Sequence, residues 1–196
     1  MRIEVCGGIA SGKTTFVKAI GTYLTQFTTV YENFSSNTFL DDFYKNVSRY
    51  AYETEISFLL QHMHQIKCAM VDVRDLMCDF SIEQDYAYAI NNLDSISKYS
   101  FDEIYKETIR QISLPDLVIF LQCPNSILLE RIRRRGRENE MNIDLMYLDS
   151  TLQTLNNHMS RIRSNIVTID SHQYDFRKAE DIEIVYAEIL KKYLEN

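Results

Sequence analysis

The chain has 196 residues, 45% of them hydrophobic, and a formal net charge of −7 at neutral pH. That length fits a single domain, taken as residues 1–196, with a sizeable core. No apolar run approaches the roughly eighteen residues of a membrane span, and the acidic balance argues against nucleic acid as a bulk partner, because that affinity comes mainly from cationic contacts with phosphates. No basic stretch followed by an apolar one opens the sequence, so no secretory signal is expected. Cys6, Cys68, Cys78 and Cys123 lack C-x-x-C spacing. They read as reduced thiols, which points to a cytoplasmic setting.

In chain order, residues 2–6 read as an opening strand that ends at the loop Gly7-Gly8-Ile9-Ala10-Ser11-Gly12-Lys13-Thr14-Thr15. Phe16, Val17, Ile20, Leu24 and Phe27 follow at helical spacing. A short strand over 28–31 ends at Glu32, a helix covers 47–67, and 69–73 reads as a third strand, followed by Arg74. One helix is expected over about 80–113. The run Leu117-Val118-Ile119-Phe120-Leu121 is apolar throughout, as a strand buried on both faces requires. Helices are expected over 126–135 and 145–163, and a strand over 166–169 ends at Asp170. The last helix, about 175–194, carries Phe176, Ala179, Ile182, Val185, Tyr186, Ile189, Leu190 and Tyr193 on one face. This alternation predicts an α/β fold, a parallel five-stranded sheet of the P-loop NTPase type flanked by helices. Ligands then gather beyond the carboxyl ends of the strands, where Gly7, Glu32, Arg74 and Asp170 are expected.

The loop fits G-x-x-x-x-G-K-[ST] in the strand–loop–helix context that the pattern needs. Its glycines let successive N–H groups turn inward on phosphate oxygens, at a helix N-terminus whose dipole favours anions. Lys13 would reach the β- and γ-phosphates of a nucleoside triphosphate, and the Thr14 hydroxyl would hold Mg²⁺. Glu32, at a strand end near the γ-phosphate, reads either as the acceptor of a proton from an attacking hydroxyl or as a solvated loop carboxylate. Arg131, Arg133, Arg134, Arg135 and Arg137 crowd one short segment. Alone they suit an exposed basic helix end. In a chain with a phosphate loop they suit a lid, about 131–142, that stabilises a transferring phosphoryl group.

At this point the sequence resembles the deoxynucleoside kinase family nearly end to end. The resemblance rests on the loop, on the segment after Glu32 with N-x-[FY]-L-x-x-F-Y, on residues 52–61 around Glu55, and on R-I-x-x-R-G-R-x-x-E followed by the spaced Tyr147-Leu148. It implies ATP and Mg²⁺ as cofactors and a nucleoside or nucleotide acceptor. Glu32 would be the base for the 5′-hydroxyl, with Lys13 and Arg74 beside the reacting phosphate. Tyr44 and Glu140 would hold the 3′-hydroxyl, and Glu55, His62 and Asp79 would line the base pocket. Arg131, Arg135 and Arg137 would close on the phosphates, and the loop after Asp170 would lie against the adenine of ATP. The resemblance also implies a homodimer. The stripe Ile82, Tyr86, Ala89, Ile90 and Leu93 would suit either its interface or the core.

Three positions depart from the family pattern. The pattern has an acidic residue tied to Mg²⁺ just before the arginine matched by Arg74, where this chain has Val73 and, one step earlier, Asp72. It has a base-pocket arginine where His62 aligns, and a base-stacking aromatic where Glu83 aligns. The phosphate machinery is retained while the acceptor pocket is rewritten. The leading expectation is phosphoryl transfer from ATP to the 5′-hydroxyl of a deoxyribonucleoside, with room for an atypical acceptor. The alternatives are a nucleoside monophosphate kinase of the thymidylate kinase kind, needing acceptor-side cations such as His62 or Arg49, and a non-catalytic nucleotide-binding relative.

Overall fold

A computed structural model describes residues 1–137, 140, 143–162 and 164–194. Five strands form one parallel sheet in the order β2-β3-β1-β4-β5: β1 (Arg2–Gly7), β2 (Thr28–Val30), β3 (Leu76–Cys78), β4 (Leu117–Gln122) and β5 (Ile166–Asp170). β1 lies at the centre, with Ile3 opposite Met77 on one side and Leu117 on the other. Every residue of β1 is buried, as a strand covered on both faces demands. One layer packs α1 (Lys13–Ile20) and the C-terminal helix against Ile3, Val5, Ile119 and Ile169. The other packs α6 (Asn125–Arg135) and α7 (Leu145–Met159) against Cys6, Val118 and Phe120. A third apolar cluster joins α2 (Leu40–Lys45), α3 (Val47–Ala69), α4 (Ile82–Asn92) and α5 (Ser95–Ile112) around Phe80.

The predicted strand over 69–73 does not form. Helix α3 runs on to Ala69, and Val71 is 79% exposed, so this stretch has no apolar face to give the core. The strand lies further along, in the fully buried triplet Leu76-Met77-Cys78. Arg74 consequently precedes β3 and lies at the amino end of the sheet, where its carbonyl accepts from the Met1 amino group at 2.9 Å. The helix expected over 80–113 is two. Leu93 turns extended, and the Asp94 carboxylate caps a new start by accepting from Ile96 and Ser97 N–H, both at 2.9 Å. The Ile82, Ala89 and Leu93 stripe is core. The last helix begins at Ala179 and passes through a π-helical stretch, Val185–Leu190, before Lys191–Leu194. All four cysteines are free thiols, with Cys68 exposed, and no helix among the described residues is long and apolar enough to cross a membrane.

A buried polar knot fixes where α4 begins. Glu4, on β1, pairs with Arg2 at 3.0 Å and accepts from Ser81 Oγ and Ile82 N–H, each at 3.0 Å. The Arg2 guanidinium donates in turn to the carbonyls of Ile112 and Ser113, which tie down the end of α5. Burial raises the Glu4 carboxyl, partly offset by Arg2. The knot sets the register of α4, from which Gln84 accepts the Gly7 N–H of the phosphate loop and Asp85 lines the second cavity.

Candidate active site

Two cavities meet beyond the carboxyl ends of the strands. The larger, about 1010 Å³, is lined by Gly12, Lys13, Thr14, Thr15, Arg131, Arg135, Arg137 and the loop from His172 to Lys178. The smaller, about 100 Å³, is lined by Tyr44, Glu55, Phe58, Gln84, Asp85, Tyr88, Glu140 and Tyr147. Lys13, Glu32, Arg135 and Arg137 line both, so they stand at the junction.

The phosphate loop is shaped by backbone demands. Gly12 takes φ +100° just before α1, and a side chain on Gly7 would strike the Leu121 carbonyl at 2.8 Å. Helix α1 has no side-chain cap and no acidic residue in its first turn, which leaves its leading N–H groups free to receive an anion. Lys13 Nζ donates to the Gly7 carbonyl at 2.8 Å, and Gly7 N–H donates to Gln84 Oε1 at 3.0 Å. Gly8 packs against Leu128 and Leu152, which seats the loop on helices α6 and α7. Ile9, Ala10 and Ser11 complete the turn, with Ser11 N–H donating to the Gly8 carbonyl at 3.0 Å. Arg131 Nη1 donates to the Ser11 carbonyl and Nη2 to the Ser171 carbonyl, both at 3.0 Å. This guanidinium clamps the phosphate loop to the loop after β5. Asp170 does not line the cleft. Its carboxylate accepts from Gln173 Nε2 at 3.0 Å and from His172, and so shapes the loop that does.

Glu32 is held from several sides. Its N–H donates to Asp79 Oδ1, and its carboxylate lies 3.6 Å from His62 Nε2. Desolvation would raise its carboxyl, but the nearby His62, with Lys13 and Arg137, holds it below the usual carboxylate value. It is therefore ionised at neutral pH. Asp79 sits on the phosphate side, beside the Thr14 hydroxyl, and burial raises its carboxyl.

On the acceptor side, Asn37 Nδ2 donates to the Thr54 carbonyl at 3.0 Å, tying the α2 entry to α3 and bringing Tyr44 to the cavity. Glu55 is buried and accepts from Asn92 Nδ2 at 2.7 Å; desolvation first, and Asp85 after it, push its carboxyl up to about 8. Glu140 accepts from Arg135 and from Arg137 Nη1, the latter at 3.2 Å, and Arg137 lies 3.8 Å over the Phe34 ring. Of the lid, Glu138, Asn139, Met141 and Asn142 lie outside the described residues, as does Arg163 of the helix expected over 145–163.

Five residues expected in or around the site stand elsewhere. Arg74, expected beside the reacting phosphate, is at the opposite end of β3, because the strand begins only at Leu76. The carboxyl end of β3 instead carries Asp79 and then Phe80. Asp79, expected in the base pocket, lines the phosphate cleft, and Asp85, about one helical turn into α4 from the Ser81 cap, lines the acceptor cavity. Glu83 does not face the cavity: it accepts from His158 Nε2 at 2.6 Å and from Tyr105 OH at 3.1 Å. His62 lines neither cavity, and its Nδ1 meets Asp85 Oδ2 at 2.7 Å. Arg49 also lines neither, lying over the Tyr50 ring. Sequence reasoning missed Gln84, Asp85, Tyr88 and Phe80. The available signal was Ser81 as a helix cap, which would have placed β3 just before it.

A parallel sheet with a phosphate loop after its central strand, an arginine clamp and a second cavity opposite defines a P-loop phosphotransferase. A protein-family model described as deoxynucleoside kinase matches residues 3–195, and the chain belongs to that family. It is 27% identical over 185 residues to a deoxyadenosine kinase of Dictyostelium discoideum, covering 92% of this chain and 75% of that protein. It is 24% identical over 186 residues to a deoxyguanosine kinase of Bacillus subtilis (strain 168), covering 89% and 88%. The fold is shared with a deoxyadenosine kinase from M. mycoides solved with bound dCTP, at a TM-score of 0.79 and 20% identity over 94% of this chain and 96% of that one.

Proposed function

We propose that this chain transfers the γ-phosphoryl group of ATP to the 5′-hydroxyl of a deoxyribonucleoside, as a cytoplasmic homodimer. One observation carries the reading: Lys13, Glu32, Arg135 and Arg137 line the phosphate cleft and the smaller cavity alike. A carboxylate at the meeting point of donor and acceptor can take the hydroxyl proton, and three cations there can stabilise charge on the transferring group. The Thr14 hydroxyl and the adjacent Asp79 carboxylate are hard oxygen donors suited to Mg²⁺, which needs few protein ligands when phosphates supply the rest. Mg²⁺ would neutralise phosphate charge there. Tyr44, Glu140, Glu55 and Asp85 line the acceptor cavity, where Tyr44 and Glu140 would meet the sugar and Glu55 with Asp85 the base. The relatives' names place purine deoxynucleosides first in any substrate panel.

Support for a monophosphate acceptor weakens, since neither His62 nor Arg49 reaches the cavity. The test is Glu32→Gln. ATP affinity should stay within about twofold while turnover falls by roughly 10²–10⁴. Unchanged turnover would overturn the assignment of Glu32 as the base.

A further inference from the structure

Two departures from the family pattern become one when the site is assembled. The pattern has an arginine directly after the acidic residue at the end of the third strand, close to the catalytic carboxylate, and another on the helix in the base pocket. Here Phe80 follows Asp79, and His62 takes the helix position. Both are fully enclosed, and Phe80 can bring no charge to Glu32.

His62 is aimed by its surroundings. Its ring lies on Phe80 with centroids 4.0 Å apart and planes 8° apart. Asp85 holds Nδ1 at 2.7 Å. With the ring plane set by Phe80 and one nitrogen set by Asp85, Nε2 has a single direction left, and it faces Glu32 at 3.6 Å. Both nitrogens of a buried imidazole thus face carboxylates, and only the doubly protonated ring satisfies both. Phe58, at 5.8 Å, adds an apolar wall. Around Glu32 stand also Lys13 from α1, Arg137 from the lid, Asp79 at its backbone N–H, and the Tyr44 and Tyr88 side chains from α2 and α4.

We propose that His62 is a positioning residue which, as an imidazolium stacked on Phe80, bridges Asp85 to Glu32 and supplies from α3 the positive charge that the family pattern takes from the end of the third strand. The inference rests on Glu32 being the base. It makes the acceptor pocket and the reacting carboxylate one unit, because Asp85 borders the base cavity and Glu32 the phosphoryl junction. His62 itself touches neither substrate.

The test has two arms. In steady-state kinetics, His62→Gln should lower kcat by about tenfold to a hundredfold with the KM for ATP within about twofold, and His62→Gln/Phe80→Arg should regain about tenfold as charge returns from the strand end. An unchanged kcat in His62→Gln, or a loss carried by the KM for ATP, would overturn the proposal. The second arm needs no turnover and no variant: in ¹⁵N-histidine-labelled wild-type protein near pH 8, both His62 ring nitrogens should carry protons. One unprotonated nitrogen would overturn the bridge. A wild-type chain inert on every deoxynucleoside, but with a doubly protonated His62, would sink the proposed reaction and leave the bridge standing.

Discussion

The replacement Glu55→Gln should make the protein more stable, and more so as pH rises. Glu55 is buried, with Asn92 donating to one oxygen at 2.7 Å and Asp85 nearby, and its carboxyl is pushed from 4.5 up to about 8 by desolvation above all. The unfolded chain gives up this proton above about pH 4.5, whereas the folded chain keeps it until about pH 8. Stability from this group is therefore fully present below the unfolded value and is lost as pH rises toward the folded one. At about 1.4 kcal/mol per tenfold change in proton affinity, the full loss is bounded at about 5 kcal/mol, with about 2 kcal/mol of it falling between about pH 6 and pH 8. Glutamine keeps the shape and the acceptor for Asn92 but has no proton to lose. Urea unfolding of both proteins at those two pH values, above the sequence pI of about 5.1, measures the difference directly. A stability gap that is the same at both pH values would refute the reasoning.

Arg74→Ala should leave turnover within about twofold, because the side chain belongs to the end of the sheet away from the phosphate loop; a loss of a hundredfold or more in steady-state assays would restore it to the site. Lys13→Ala should weaken ATP binding and slow turnover together, read by equilibrium titration and initial rates; if neither changes, the loop does not bind the donor phosphates. Asp94→Ala should lower the urea midpoint by removing the acceptor for two N–H groups at the start of α5. An unchanged midpoint would mean that α5 does not depend on this cap.

Local chemistry made the donor side legible. Gly7 to Thr15 announce a backbone nest by residue type and spacing, and Glu32 by its position after a strand. The sheet was legible where apolar runs were long, as in 117–121, and illegible where the strand has only three residues. The stretch 69–73 looks as apolar as Leu76-Met77-Cys78, but the first is the last residue of a long helix and the turn after it, with Val71 in solvent. That one displacement put Arg74 in the expected site, put Asp79 in the base pocket and left Asp85 without a role. The partners of buried charges were not legible, because His62, Asp85 and Glu32 meet only after α3, α4 and β2 have packed. Glu83 illustrates the same limit. Its histidine partner, His158, is far away in sequence.

The central claim is tested by mixing the wild-type protein with ATP and Mg²⁺ and following ADP and product formation over deoxynucleosides and their 5′-monophosphates. The account predicts one ADP for each deoxynucleoside 5′-monophosphate formed, with purine deoxynucleosides among the substrates and no reaction without Mg²⁺. ADP formed only with the monophosphates as acceptors, or ATP bound tightly with no transfer to any of them, would contradict it.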